Sequence, residues 1–233
     1  GALESAYLAG LIEDESDILV LSQFYSTFNN PYRGARLIER EMEDGRVERS
    51  VGNLELLSQL WSQAREHRQA IPVLREAARL SDTGQLSFRL GQALLATEDN
   101  ERAAAAFEDA IDKGELDDGV LGEAWILLGN ARFNQAGPGD RQQRRLADQA
   151  FAEAERFPGT RAQARDWRGY IKAIDDTETR QAMLEQEQSE RLEAAAQDRF
   201  LTACRAQQLA GTTLTDECRR VLEAARQAED EEF

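Results

Sequence analysis

The stretch from Gly84 to Gly114, GQLSFRLGQALLATEDNERAAAAFEDAIDKG, places small and large apolar residues at fixed intervals. In the numbering of a 34-residue helix–turn–helix unit, positions 7, 8, 20, 24 and 27 are Leu90, Gly91, Ala103, Phe107 and Ala110. Small residues at positions 8, 20 and 27 allow two helices to cross closely, and the large residue at position 24 fills the space between them. One such unit cannot bury this face alone, so the pattern predicts neighbouring units.

The same classes of residue recur on both sides of this stretch, with the spacing of the tetratricopeptide repeat (TPR), which the chain resembles. The pattern predicts four repeats, and the fourth carries an inserted loop at residues 136–140, AGPGD. The predicted fold is therefore all-α, a right-handed TPR solenoid with a C-terminal helical extension. The repeats are placed at residues 15–50, 51–83, 84–121 and 122–159.

The segments outside the repeats are also predicted to be helical. Residues 1–14 have apolar residues at helical spacing and are expected to form a capping helix, and residues 160–174 are expected to form a solvating helix that closes the array. Residues 175–233 are rich in Glu, Gln, Arg and Ala and are broken at residues 210–213, AGTT, which predicts a helical hairpin arm.

Two cysteines, Cys204 and Cys218, lie on either side of the break in this arm. If the arm folds back as a hairpin, the thiols come to similar heights and could form a disulfide, which would favour an oxidising compartment. The alternative is a pair of half-buried thiols in a reducing cytosol. Two thiols and a distant His67 are too few ligands for a metal site, and no metal is expected.

Composition argues against several classes of function. The net charge of −16 makes nucleic acids and anionic membrane surfaces poor partners, and no apolar run is long enough to span a bilayer. The only histidine, His67, is expected in the turn before the second helix of a repeat, whose first turn would contain Pro72. No phosphate loop, catalytic triad or zinc-protease motif is present, so neither an enzyme nor a cofactor is expected. The chain begins without Met, and we expect it to be a fragment of a longer protein.

The inner face of the array is the candidate binding site, because the first helices of successive TPR units line a concave groove. Position 9 is a carboxamide in every predicted unit, able both to donate and to accept hydrogen bonds, as an extended peptide requires. These residues are Gln23, Gln59, Gln92 and Asn130, and the apolar residues expected beside them are Leu19, Phe88, Leu95, Ile126 and Phe133. The alternative is a chance alignment of common helix-surface residues. The absence of Lys and Arg at these positions argues against a clamp for a C-terminal carboxylate.

A narrower resemblance covers residues 15–173. Its signature segments are Glu41–Val47, EMEDGRV, and Trp167–Ile171, WRGYI, and the order of segments between them is similar to that of bacterial TPR proteins encoded with TonB–ExbB–ExbD energy-transducing systems. The resemblance implies a periplasmic or envelope-associated accessory protein that binds components of such a system and takes part in uptake, for example of iron chelates. Its signal peptide or anchor would lie upstream of this fragment, which itself is not expected to contact the membrane.

Two other functions remain open from the sequence. The array could be a self-association module, with residues 177–228 packing against a second copy, although apolar spacing in that segment is sparse. It could also be the regulatory TPR domain of a larger protein. In either case a cytoplasmic location is the alternative to the envelope.

Overall fold

The computed structural model describes residues 2–12 and 14–231, and within these ranges the chain forms eleven α-helices. Gly1, Glu13 and residues 232–233, which belong to the predicted capping helix and arm, lie outside the described residues. The chain divides into two compact units, Gly1–Ala173 and Ile174–Phe233. The helices are α1 (Ala2–Leu8), α2 (Glu15–Thr27), α3 (Pro31–Glu43), α4 (Val51–Gln63), α5 (His67–Leu80), α6 (Gln85–Leu95), α7 (Asn100–Lys113), α8 (Asp118–Gln135), α9 (Arg141–Ala154), α10 (Arg161–Leu209) and α11 (Asp216–Glu231).

Helices α2 to α9 form four consecutive helix hairpins in the first unit, α2/α3, α4/α5, α6/α7 and α8/α9. Each hairpin also packs against the next, through α3 and α4, α5 and α6, and α7 and α8. One hydrophobic cluster runs from Ile12 to Ala150 through all four hairpins, and a second cluster lies between the fourth hairpin and the start of α10, as expected for stacked units that each bury only part of their apolar surface alone. The described residues contain helices and no strands, which confirms the all-α prediction.

The close crossing within each hairpin depends on the small residue at position 8 of its first helix. A Cβ atom added at Gly91 would lie 2.6 Å from Cε1 of Phe107, and one added at Gly129 would lie 2.5 Å from Cε1 of Phe151. The first two repeats have Ser22 and Ser58 at this position, where each hydroxyl donates to the backbone carbonyl three residues earlier. Burial of these hydroxyls therefore leaves no donor unsatisfied.

Helix α1 is shorter than the capping helix predicted over residues 1–14. It ends at Leu8, and the side chains of Leu8 and Leu11 are both more than three-quarters exposed. The turn that ends it contains Gly10 in the left-handed region, at φ +71°, which L-residues with side chains adopt only with strain. Helical spacing of apolar residues alone therefore overestimated the length of this helix.

Two tyrosine hydrogen bonds tie α1 to the first repeat. The hydroxyl of Tyr7 donates to Oε1 of Glu41 over 2.5 Å, and the hydroxyl of Tyr25 donates to Oε1 of Glu4 over 2.7 Å. Glu41 is fully buried, and a guanidinium nitrogen of Arg46 lies 2.6 Å from its second carboxylate oxygen. A buried carboxylate needs such partners, because an unpaired buried charge is strongly destabilising.

The segment after the fourth repeat differs from its prediction. A solvating helix was expected at residues 160–174, separate from the arm that begins at residue 175, but α10 runs without a break from Arg161 to Leu209. The change in composition near residue 175 includes no Gly or Pro, so it marks a change in exposure and not the end of a helix. Before that point, Ala164, Trp167 and Ile171 pack against the fourth repeat and complete the core of the first unit.

The second unit contains the rest of α10, a short connection and α11. Its helices are largely exposed, and residues 182–200 are exposed throughout. Cys204 and Cys218 are joined by a disulfide with their Cα atoms 5.3 Å apart. The break predicted at residues 210–213 lies between α10 and α11, and the disulfide joins these two helices.

The loop between α3 and α4 is fixed to α5 by the ion pair of Arg49 and Glu76, whose Nε and Oε1 atoms are 2.9 Å apart. The hydrogen bond from Arg49 holds the pKa of the Glu76 carboxyl below its ordinary value of 4.5. Since the pKa is lower in the folded state, the pair stabilises the fold above pH 4.5, and this stabilisation is lost as the pH falls through the folded pKa.

We therefore expect Glu76→Gln to lower the free energy of unfolding at neutral pH by less than about 1 kcal/mol, since the pair is partly exposed. The difference from wild type should shrink as the pH falls below 4.5, measured by urea unfolding across a pH series. Glu193→Gln, on an exposed part of α10, removes the same charge and should show no such trend. A deficit that is constant with pH would contradict the assignment.

Candidate functional site

A cleft of about 360 Å³ lies between α4 and α6, the first helices of the second and third repeats. Gln59 and Gln92, two of the predicted position-9 carboxamides, both line it, so the structure brings this pair together at one site. The cleft is lined by Ser58, Gln59, Ser62, Gln63, His67, Leu74, Arg89, Gln92 and Ala93. Most of these side chains can form hydrogen bonds, and they surround a small apolar floor.

Glu55, which lies beside this cleft and is not part of its lining, holds two of the lining side chains. Its Oε1 atom accepts hydrogen bonds from Nε2 of Gln59 over 3.1 Å and from Nη1 of Arg89 over 2.8 Å. Glu55 thus holds one side chain from each of two successive repeats, which restricts the rotamers of both before any ligand binds. Gln92 is exposed, and its amide makes no hydrogen bond within the described part of the chain.

Two of the lining residues were not anticipated. Arg89 lies at position 6, outside the positions examined for basic residues, so the argument against a carboxylate ligand does not hold for this cleft. His67 was placed in a turn, but it is the first residue of α5 and half-buried. Pro72 is the sixth residue of α5 and not in its first turn, so the helix begins earlier than predicted.

The other two carboxamides lie outside this cleft. Gln23 is exposed on α2, three residues before Ser26, whose hydroxyl donates to Oε1 of Gln63. Asn130 is half-buried on α8, and its Oδ1 atom is buried without a hydrogen-bond partner. Because this oxygen is buried, a ligand cannot reach it in this structure, and Asn130 does not extend the pair formed by Gln59 and Gln92.

The predicted apolar contacts divide into two groups. Phe88 and Ile126 are 5% and 3% exposed and belong to the core, which corrects the expectation that they face the groove. The ring of Phe88 packs at 5.9 Å from that of Phe107. Leu19, Leu95 and Phe133 are half-buried and retain some accessible surface. Phe133 packs against Trp167 at the end of the array, with ring centroids 5.2 Å apart.

A second, apolar cleft of about 410 Å³ lies between α1 and α2. It contains the exposed aromatic residues Phe24 and Phe28, which are 48% and 77% exposed and stack on each other at 6.4 Å. Leu3, Leu21 and Tyr25 also line it. Exposed aromatic side chains in a cleft are typical of surfaces that contact other molecules.

The described part of the chain offers neither a metal-binding cluster nor a membrane-spanning helix. Over residues 2–12 and 14–231, no cluster of three or more His, Cys, Asp or Glu side chains has an arrangement that could hold a metal ion. Within the same ranges, no helix combines the length and the apolar composition that crossing a membrane requires.

These hairpins, their shared core and the small-residue crossings define a TPR-like all-α solenoid. Comparison with solved structures agrees: a crystal structure of MamA is 18% identical, with a TM-score of 0.54 over 70% of this chain and 90% of the MamA chain. A structure of MamA from residue 41 onward, from Desulfovibrio magneticus RS-1, is 17% identical, with a TM-score of 0.53 over 74% and 94% of the two chains. No family model and no curated protein matches the sequence.

Similarity at this level of identity establishes the fold alone. The comparisons therefore confirm the predicted TPR-like solenoid. They give no support to a link with TonB systems, which rests on the sequence resemblance of residues 15–173.

Proposed function

We propose that this chain is a non-catalytic protein-interaction scaffold, and that the cleft between α4 and α6 binds an extended segment of a partner protein. The observation that carries the proposal is that Gln59 and Gln92, from equivalent positions of successive repeats, line the same cleft. A carboxamide both donates and accepts, so it can pair with the N–H and the C=O of a peptide backbone. The two carboxamides then set the register of an extended chain in this cleft.

The charged pair at the cleft adds selectivity. Arg89 and Glu55 are about one-third exposed and lie side by side, so the site presents a positive and a negative group to a ligand. A partner segment with one acidic and one basic side chain in the matching order would satisfy both. The net charge of −16 should steer basic partners toward the protein, and this contribution should weaken as salt increases.

We expect the double variant Gln59→Ala/Gln92→Ala to fold normally and to bind the partner about 5- to 150-fold more weakly, because each of the two lost hydrogen bonds contributes about 0.5–1.5 kcal/mol. Neither residue belongs to the buried core, so stability should change little. The measurement is isothermal titration of the purified partner into wild type and variant.

The matched control is Gln142→Ala/Gln149→Ala, which removes two exposed carboxamides from α9, a second helix of a repeat. This control should bind as wild type does. Equal affinity of all three proteins would remove the cleft from consideration as the binding site.

The finer proposal is that the protein is an envelope accessory of a TonB-type uptake system, and it is supported by the resemblance of residues 15–173. It is tested by using the full chain and the Gln59→Ala/Gln92→Ala variant as parallel baits on a Gram-negative envelope extract. Recovery of TonB, ExbB or ExbD by wild type and not by the variant would support both the system and the site. Recovery of cytosolic proteins alone would contradict the role in a TonB-type system, and only the proposed scaffold function would remain.

Self-association is the second candidate, and exposed apolar side chains favour it. Met183, Leu184 and Leu192 are each more than half exposed along α10, in addition to Phe24 and Phe28 in the apolar cleft. Sedimentation equilibrium separates the two functions, because a monomer mass independent of concentration would exclude self-association.

A further inference from the structure

The disulfide is the most buried feature of the second unit. Cys204 and Cys218 are 0% and 3% exposed, and among the described residues of Ile174–Phe233 no other side chain is buried. The flanking apolar residues Leu201, Val221 and Leu222 remain half-buried. The hairpin of α10 and α11 therefore lacks an ordinary hydrophobic core, and the covalent link takes the place of one.

A cleft of about 590 Å³ lies on this hairpin and needs both of its helices. Arg205 and Gln208 come from α10, Leu214 comes from the connection, and the rest come from α11. The lining of the α11 side consists of Arg219, Leu222, Glu223 and Arg226. Three guanidinium groups thus line one cleft beside two leucines.

The lining of this cleft contains three arginines and one glutamate, although the whole chain has a net charge of −16. Helix α11 as a whole is acidic, with six carboxylates and three arginines in its sequence, so the excess of arginine belongs to the cleft and not to the helix. Arg219 pairs with Asp216, but the two side chains are 65% and 80% exposed, and an exposed pair of this kind is worth little. The lining of the cleft therefore offers an excess of positive groups to an incoming anion.

We propose that the disulfide-closed hairpin of α10 and α11 is a binding site for an acidic peptide segment. Guanidinium groups bind carboxylates through paired N–H donors, and Leu214 and Leu222 provide an apolar surface for a side chain between the carboxylates. Glu223 within the lining disfavours a densely charged phosphate ligand, which offers no apolar contact in compensation. The site is separate from the cleft between α4 and α6, and does not depend on the function proposed for it.

The disulfide assembles this site, so the thiol–disulfide state controls binding. Reduction by a dithiol breaks the bond between the two Sγ atoms, transfers two electrons and two protons to yield the Cys204 and Cys218 thiols, and leaves the reductant as a disulfide. Without the covalent link, α10 and α11 have too little buried surface to keep Arg205 and Arg226 facing one cleft.

The test is fluorescence anisotropy with a short labelled peptide of Asp, Glu and Leu, titrated with the full chain at physiological ionic strength. Oxidised wild type should bind, and Arg219→Gln/Arg226→Gln should bind about tenfold or more weakly, since charge-assisted hydrogen bonds are lost. Arg199→Gln/Arg220→Gln makes the same change in charge outside the cleft and should bind as wild type does. Wild type treated with dithiothreitol, and Cys204→Ser/Cys218→Ser under either condition, should lose binding.

Three results would overturn the proposal. Equal losses in the two arginine pairs would show that charge alone attracts the peptide, with no cleft involved. Binding of polyphosphate in preference to the peptide would contradict the ligand class. Undiminished binding after reduction would show that the disulfide does not assemble the site. Because reduction replaces no residue, this measurement tests the proposal even if an arginine variant misfolds.

Discussion

Replacing Phe107 by Ala should lower the free energy of unfolding by about 3–5 kcal/mol, the range for truncating a fully buried aromatic side chain. Phe107 is 0% exposed and lies at the crossing of α6 and α7, where its ring contacts Gly91 and packs 5.9 Å from the ring of Phe88. The cavity cannot close easily, because rigid helices surround it. Since typical domains are stable by about 5–15 kcal/mol, this loss is a large share of the total.

Urea unfolding followed by circular dichroism measures this loss, with Phe28→Ala as the matched control because Phe28 is 77% exposed. The control should change stability by less than about 0.5 kcal/mol. A rescue variant sharpens the test: adding Gly91→Ala to Phe107→Ala places a methyl group where the ring was, and should recover part of the loss. If Gly91→Ala were equally harmful with and without the ring, the proposed contact would be wrong.

The spacing of small and large residues was the most informative feature of the sequence. Gly91 and Phe107 are sixteen residues apart in the chain, and their contact is the one that the repeat pattern implies. Such positions are predictable because helix geometry leaves room for only one arrangement of small and large side chains at a close crossing. The four hairpins followed from four recurrences of that arrangement.

Groove positions were less predictable, because a small rotation of a helix moves a side chain between surface and core. Gln59 and Gln92 share a cleft as the pattern suggested, whereas Phe88, four residues before Gln92, is buried against Phe107. Arg89 faces the cleft because Glu55 of the previous repeat holds it there. A contact between side chains of different repeats is not encoded in the spacing of either repeat.

The ends of helices were predictable where a residue breaks the helix and uncertain where none does. The sequence AGTT at residues 210–213 correctly separates α10 from α11. Near residue 175 only the composition changes, and α10 continues because Glu, Gln, Arg and Ala are good helix formers in water. The start of α5 was predicted too late, because Pro72 was expected to lie in its first turn. The helix in fact begins at His67 and contains Pro72 as its sixth residue.

Replacing Gly129 by Leu should destabilise the array by about 3 kcal/mol, the upper part of the range for overpacking a core. A Cβ atom at this position would lie 2.5 Å from Cε1 of Phe151, and the ring of Phe151 cannot move away. The ring is stacked on that of Trp167, which is parallel within 2° at a centroid distance of 5.4 Å. Leu is a better helix former than Gly by up to about 1 kcal/mol, which offsets only part of the cost.

Gly169→Leu is the control that isolates packing from helix propensity. Gly169 lies inside α10, two residues after Trp167, and a Cβ atom there would meet nothing within 4 Å. The same substitution should therefore stabilise the protein slightly, by about 0.5–1 kcal/mol, through helix propensity alone. Opposite signs for the two variants in thermal or urea unfolding would show that the contact of Gly129 with Phe151 decides the effect. Equal shifts would mean that α8 and α9 do not cross as closely as the structure has them, and the fourth repeat would then need a different packing.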